Sequence, residues 1–302
     1  MPLTYRKLHP LFMAEVTSPI DLRYVDDQAT LDEIREGMDT YGVLVFPGQK
    51  FTDAEQLDFA QRFDGELHTK TGISALQKSR LNNTEALTDI SNLDENGEIM
   101  DTNDRRRMYS LGNRLWHTDA SFQDPPGRYS MLHARVVPEV AADTEFVDTR
   151  VAYEALDDDM KAQLEGLSVH HSIAYSRQTL GFEFSESEME TLRGAVHPLI
   201  RDFPETGRRS LYIASHASKI IGWPVPDGRL LLRELMDHAT QKEYRYRHSW
   251  TVGDLVIWDN RTTMHRGIAY DDTRYKRELR RVTTLDLPRS RVAPPIAIEV
   301  AT

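Results

Sequence analysis

The chain has 302 residues, 39% of them hydrophobic, enough to bury a sizeable core in a single domain spanning 1–302. Its formal net charge of −11 argues against nucleic acid as a partner, because a duplex is held by Lys and Arg neutralising phosphates. Cysteine is absent, which excludes disulfides, thiol nucleophiles and thiolate metal sites.

The N-terminal stretch Met1–Leu8 lacks the apolar core of a signal peptide and no later segment approaches a membrane span, so a cytoplasmic protein with no membrane partner is expected. Val43–Phe46 is a continuous apolar run closed by Pro47-Gly48, the pattern of a buried strand and turn. Thr52 and Glu55 have capping-box spacing, and Ala54, Leu57, Ala60 and Phe63 then form a stripe at helical spacing. Residues 67–108 are polar and are expected to form loops with short strands that cover an active site.

Tyr129–Pro138 reads as a strand, and 160–167 and 229–238 read as helices. The acidic cluster Asp157-Asp158-Asp159 fits the start of the first of these helices better than a metal site. Three closely spaced strands follow over 246–250, 255–259 and 262–268, and another over 277–285. Many short strands with few helices predict a mostly β fold with flanking helices, built on a double-sheet jelly roll. The proline-bearing tail 288–302 is a candidate for packing on a neighbouring subunit, and a homo-oligomer is expected.

Trp116-His117-Thr118-Asp119 carries the chemistry, together with the downstream run Asp259–Arg266. On a strand, His117 and Asp119 project to one face, and His265 completes a set of two imidazoles and one carboxylate. Such a set leaves three octahedral positions open, which suits an Fe(II) that must bind both a co-substrate and O2. Zinc chemistry usually needs one open position. An H-x-D pair alone more often decorates a turn, but a second feature fits the same chemistry. In the strand 277–285, alternation places Arg277, Leu279, Arg281 and Thr283 on one face, with Glu278, Arg280 and Val282 outward. Two inward guanidiniums suit two small anionic molecules side by side, the rival reading being an ion-paired edge strand. The basic run 274–281 is assigned to such carboxylates and ion pairs. His133, His170, His171, His197, His238 and His248 have no carboxylate at comparable spacing and are read as structural. His216 could border the substrate, while Trp116 and Trp258 are read as core residues that also wall the pocket.

These residues and the longer segments around them resemble the taurine and 2,4-dichlorophenoxyacetate branch of the Fe(II)/2-oxoglutarate-dependent dioxygenases, most closely its phenoxyacetate side. The resemblance runs through Leu8–Phe12, Val43–Gln49, Asn113–Phe122, Asp143–Phe146, Val252–Arg261 and Arg277–Leu285. It implies a double-stranded β-helix core, Fe(II) on His117, Asp119 and His265, and 2-oxoglutarate and O2 as co-substrates. By position, Thr144 and Arg277 match the residues that hold the far carboxylate of 2-oxoglutarate, and Arg281 the residue that receives the acid of the prime substrate. Asn113 matches a polar pocket residue on the cofactor side. The iron site would thus occupy 113–144 and 258–285. One departure is Ala141-Ala142, where relatives often carry glycine; a second is the patchy similarity between Leu67 and Arg107. The expected reaction hydroxylates an aryloxyalkanoate beside its ether oxygen, giving a phenol and glyoxylate with succinate and CO2. A sulfonate such as taurine is the alternative substrate, and a non-catalytic jelly-roll binding protein the alternative class.

Overall fold

A computed structural model describes residues 2–69 and 86–288. In chain order the elements begin with strands β1 (Tyr5–Lys7) and β2 (Ala14–Val16), helix α1 (Gln28–Tyr41), β3 (Val43–Phe46), α2 (Asp53–Asp64), β4 (Leu87–Ser91) and α3 (Arg105–Ser110). The middle holds β5 (Gly127–Val136), β6 (Thr144–Asp148), α4 (Thr149–Glu154), α5 (Asp158–Leu164), β7 (Ser168–His171), α6 (Ile173–Gln178) and α7 (Glu186–Thr191). Then come β8 (Ala195–Pro198), β9 (Ile200–Phe203), β10 (Arg208–Leu211), β11 (Ala217–Ile220), α8 (Val225–Ala239), β12 (Arg245–His248), β13 (Leu255–Asp259), β14 (Thr263–Gly267) and β15 (Glu278–Leu285).

The largest sheet has the order β1-β2-β3-β13-β5-β15-β4, and a second sheet has the order β12-β6-β14. Period-two alternation splits the large sheet into two apolar faces. Leu44, Phe46, Tyr129, Met131, Ile257 and Val282 pack with residues of α1 and α2. Val43, Val45, Leu132, Val256, Trp258 and Leu279, from the other face, pack with Phe146 of the second sheet. Burial of each large side chain in this layer contributes roughly 1.5–3 kcal/mol. The site lies on this inner face, between the two sheets. The molecule is mostly β with flanking helices, as expected.

Local signals hold where they are short in range along the chain. The Thr52–Glu55 capping box closes α2, and Asp157 caps α5 by accepting the amide of Met160 at 2.7 Å. Helix α1 ends on Gly42 in the left-handed region, at φ 69°, which lets the chain turn straight into β3. The stripe expected for α2 is rotated. Ala54 is exposed and Leu57 half-buried, while Gln56 is fully buried beside Phe59, Ala60 and Phe63. Gln56 is tolerated there because its amide donates to the carbonyls of Met131 and Arg280.

The expected outward Arg280 is likewise corrected. It shares a face with Val282, but α2 covers that face, and Arg280 is buried with Asp89 at 2.7 Å and Glu278 at 2.6 Å. Of the covering segment, β4 and α3 are formed and 70–85 lies outside the described residues. The tail beyond Pro288, with the subunit contact expected of it, also lies outside them. Among the described residues no helix is long and apolar enough to cross a membrane.

Candidate metal and 2-oxoglutarate site

His117, Asp119 and His265 are all buried, and each offers a ligand atom within 4.8 Å of the others. His117 Nε2 lies 3.9 Å from one Asp119 oxygen and His265 Nε2 lies 3.8 Å from the other. The strand expected at 117–119 is reduced to a single bridge. His117 and His265 exchange backbone hydrogen bonds of 3.0 and 2.8 Å, which puts the two imidazoles 4.2 Å apart, and Asp119 then leaves for a turn. Ala120 has φ 57°, a left-handed conformation uncommon for alanine and placed directly beside a ligand residue.

Asp119 is therefore held by side chains rather than by a strand. The Asn260 side-chain oxygen accepts the Asp119 amide at 2.9 Å and the Trp258 indole at 3.0 Å, while its NH2 donates to Ser130 Oγ at 2.9 Å. Ser130 Oγ donates to Asp119 at 2.7 Å. Asn260 lay within the quoted motif but had been given no role. Its signal is a buried amide whose polar atoms must all be satisfied.

The electrostatics suit a cation. Burial alone would raise the Asp119 carboxyl, but Arg281, His265, His117 and Ser130 outweigh it and hold the group at about 2. Burial lowers His117 to about 4 against the pull of Asp119, and pushes His265 well below its usual range. Both imidazoles are thus neutral near pH 7 with a lone pair to give. His117 Nδ1 donates to the Leu115 carbonyl at 2.8 Å, leaving Nε2 as the inward lone pair. One anionic oxygen donor and two neutral nitrogens fit Fe(II) with positions left open.

At the start of the neighbouring β6, Thr144 Oγ accepts the Trp250 indole at 3.0 Å, so its own O–H is free to donate, and Arg277 lies one residue before β15. Arg277 donates through Nε to the Ala142 carbonyl at 3.1 Å, and its backbone amide is fixed by the Asn92 side chain at 2.9 Å. Desolvation lowers Arg277 to about 10, with Tyr270 and Asp143 opposing, and it remains charged near pH 7. The nearby Asp143 is taken by Arg247 at 2.6 Å, and among the described residues no carboxylate pairs with Arg277. Neither Ala141 nor Ala142 has positive φ, which is why glycine is not required there.

Arg281 lies on the same face and reaches Asp119 itself. Asn113 accepts from Arg177 Nη2 at 3.1 Å rather than engaging Thr144 or Arg277. His216 is buried with Nδ1 3.2 Å from Ser121 Oγ, which is also 3.0 Å from His171 Nδ1, and its ring stands 6.1 Å from His117. Trp258 packs 4.5 Å from His265, whereas Trp116 joins Val147 and Met264 in a separate core. His133, His197 and His238 bind backbone carbonyls, and His170 binds Ser218. His248 does have a carboxylate, Asp254 at 3.3 Å, away from the triad. Two residues near the site had no individual role in the expectation. Arg177 sits in a short helix without a pattern, and His68, in the expected covering segment, donates its amide to the Thr283 carbonyl at 2.7 Å beside the Arg281 strand.

Residues 4–283 match the model of the taurine catabolism dioxygenase TauD, TfdA family. The chain is 45% identical, over 95% of its length and 99% of the relative's, to the alpha-ketoglutarate-dependent 2,4-dichlorophenoxyacetate dioxygenase of Cupriavidus pinatubonensis. It superposes with TM-score 0.90 and 41% identity on the crystal structure of AAD-2 with Mn(II) and N-oxalylglycine, covering 98% of this chain and 100% of that one. A taurine dioxygenase structure from Burkholderia xenovorans gives TM-score 0.74 at 25% identity, covering 94% and 90%. With a family match spanning nearly the whole length and a buried metal-ready triad, the chain belongs to the TauD/TfdA dioxygenase family.

Proposed function

We propose that this protein is an Fe(II)- and 2-oxoglutarate-dependent dioxygenase of aryloxyalkanoic acids such as 2,4-dichlorophenoxyacetate, built on a double-stranded β-helix and acting in the cytoplasm. The observation that carries the reading is the pairing of a His117–Asp119–His265 ligand set with a neighbouring guanidinium, Arg277, that meets no carboxylate among the described residues. Iron and 2-oxoglutarate bound there would supply the oxidising power, with O2 and 2-oxoglutarate converted to succinate and CO2 as a substrate C–H bond is hydroxylated.

The chain's own residues bind and orient. Arg277 and the free hydroxyl of Thr144 take the far carboxylate of 2-oxoglutarate, leaving its keto-acid end toward the triad. Arg281 meets the acid of the prime substrate. Apolar cover comes from Ile173, Ala174 and Leu192 with the partly exposed rings of Tyr109, Phe122 and Phe184, which suits an aryl group better than a short alkylsulfonate. Hydroxylation beside the ether oxygen gives a hemiacetal that collapses to a phenol and glyoxylate. Support for the substrate class comes from the 45% identity to the Cupriavidus enzyme. A panel of aryloxyalkanoates and alkylsulfonates, with succinate and phenol measured together, tests it. Phenol release in step with succinate is expected; stimulation by taurine alone would replace the substrate class.

A further inference from the structure

Arg177 is buried, with 4% of its surface exposed, yet among the described residues no carboxylate pairs with it. One face of its guanidinium stacks on Tyr109, 4.8 Å from the ring centre. Gly112 also lies against it, since a side-chain Cβ there would come within 2.3 Å of the guanidinium carbon. Only glycine leaves that slot open. The hydrogen bonds are all to neutral oxygens: Nε to the Tyr109 carbonyl at 3.2 Å, Nη1 to Ser176 Oγ at 3.0 Å and Nη2 to Asn113 Oδ1 at 3.1 Å. A guanidinium has five N–H donors, so one on each Nη is left over. A buried cation without a counter-charge is costly, and a structural strut would gain nothing by being charged. By accepting from Arg177, the Asn113 oxygen also leaves the Asn113 NH2 free to donate. Asn113, which Arg177 holds, lies against the end of β14 two residues after His265, where a Cβ on Gly267 would meet the Asn113 carbonyl oxygen at 3.7 Å, so the pair stands at the metal end of the cleft.

We propose that Arg177, with Asn113, forms a second anion anchor that holds the carboxylate of the prime substrate, so that the acid is gripped from α6 as well as from Arg281 on β15. This rests on the aryloxyalkanoate reading above. It explains a feature that reading leaves over: Arg281 is turned onto Asp119, whereas the Arg177 donors are unspent.

The test is anaerobic calorimetry of 2,4-dichlorophenoxyacetate and its uncharged methyl ester binding to Fe(II)- and 2-oxoglutarate-loaded wild type, Arg177→Gln and Arg177→Lys. Arg177→Gln should weaken acid binding roughly 10- to 100-fold while leaving the ester nearly unchanged, since hydrogen bonds to a charged group are lost. Arg177→Lys should recover part of the loss. Affinity for 2-oxoglutarate, measured on the same samples, should stay within about twofold of wild type and reports an intact fold, since nothing ties Arg177 to Arg277. Equal weakening of acid and ester, or unchanged acid binding in Arg177→Gln, would overturn the anchor. If wild type binds an alkylsulfonate and not the aryloxyacetate, the substrate class fails, and the anchor is then judged by whether Arg177→Gln weakens the sulfonate.

Discussion

Beneath α2, Arg280 is held by Asp89 at 2.7 Å and Glu278 at 2.6 Å, and at the start of β5 Arg128 is held by Asp64 at 2.9 Å and Asp286 at 3.0 Å. In the cleft, Arg277 and Arg177 meet only neutral oxygens among the described residues. All four have been drawn away from bulk water, and the difference lies in who neutralises them. Where the chain supplies a carboxylate from outside the triad, the arginine is part of the fold; where it does not, the arginine is kept for an anion that arrives from outside, and Arg281 stands between the two because its carboxylate, Asp119, is itself a member of the ligand set.

The most severe way to break the cleft side is to remove its ligands. His265→Ala should abolish Fe(II)-dependent succinate formation while thermal unfolding stays close to wild type, because the paired arginines are untouched; Asp119→Ala should abolish it too, but also leaves Arg281 without its carboxylate. Loss of the cooperative unfolding transition in His265→Ala would show that the triad belongs to the core instead. On the other side, Arg128→Gln leaves Asp64 buried without its arginine, while Asp286 keeps Arg201, and should cost roughly 3–5 kcal/mol of stability, read by denaturant unfolding. A cost below about 1 kcal/mol would erase the distinction between the two regions.

A smaller effect is expected for Arg281→Lys, which keeps a positive charge near Asp119 but loses the planar fork. Phenol release should fall about tenfold, from loss of roughly 1.5 kcal/mol of hydrogen bonding, while succinate formed without prime substrate persists. Equal loss of both products would move Arg281 to the iron and co-substrate. Acidification should act on the fold, through buried histidines outside the triad. Burial lowers His133 to about 4 and His171 to about 3, below the ordinary value of about 6.5. The unfolded chain therefore binds more protons in this range. Stability should be flat above pH 6.5 and fall toward pH 4 by up to about 1.4 kcal/mol per pH unit per histidine. A flat thermal midpoint from pH 7 to 4.5 would contradict this.

Much of this was legible along the chain. Alternation in 277–285 sorted Arg277 and Arg281 from Arg280 correctly, and the Thr52–Glu55 cap and the His-x-Asp pair are local patterns that survive folding. What failed was knowledge of what covers each face. Arg280 looked solvent-bound because the sequence does not say that α2 lies over β15, and the expected α2 stripe left out Gln56 for the same reason. Asn260 and Arg177 act through partners far away in the chain, Asp119 and Asn113, and no spacing rule reports such pairs. His117 and Asp119 share a site through a bridge and a turn, although the expectation placed them on a regular strand.

The contrast between supplied and borrowed carboxylates is tested most directly by anaerobic titration of 2-oxoglutarate into Fe(II)-loaded wild type, Arg277→Gln and Arg280→Gln, with unfolding measured on the same samples. Arg277→Gln should lose roughly 2–5 kcal/mol of 2-oxoglutarate affinity with little change in stability. Arg280→Gln should keep its affinity and unfold more easily. Unchanged affinity in Arg277→Gln, or an equal loss in Arg280→Gln, would contradict the account.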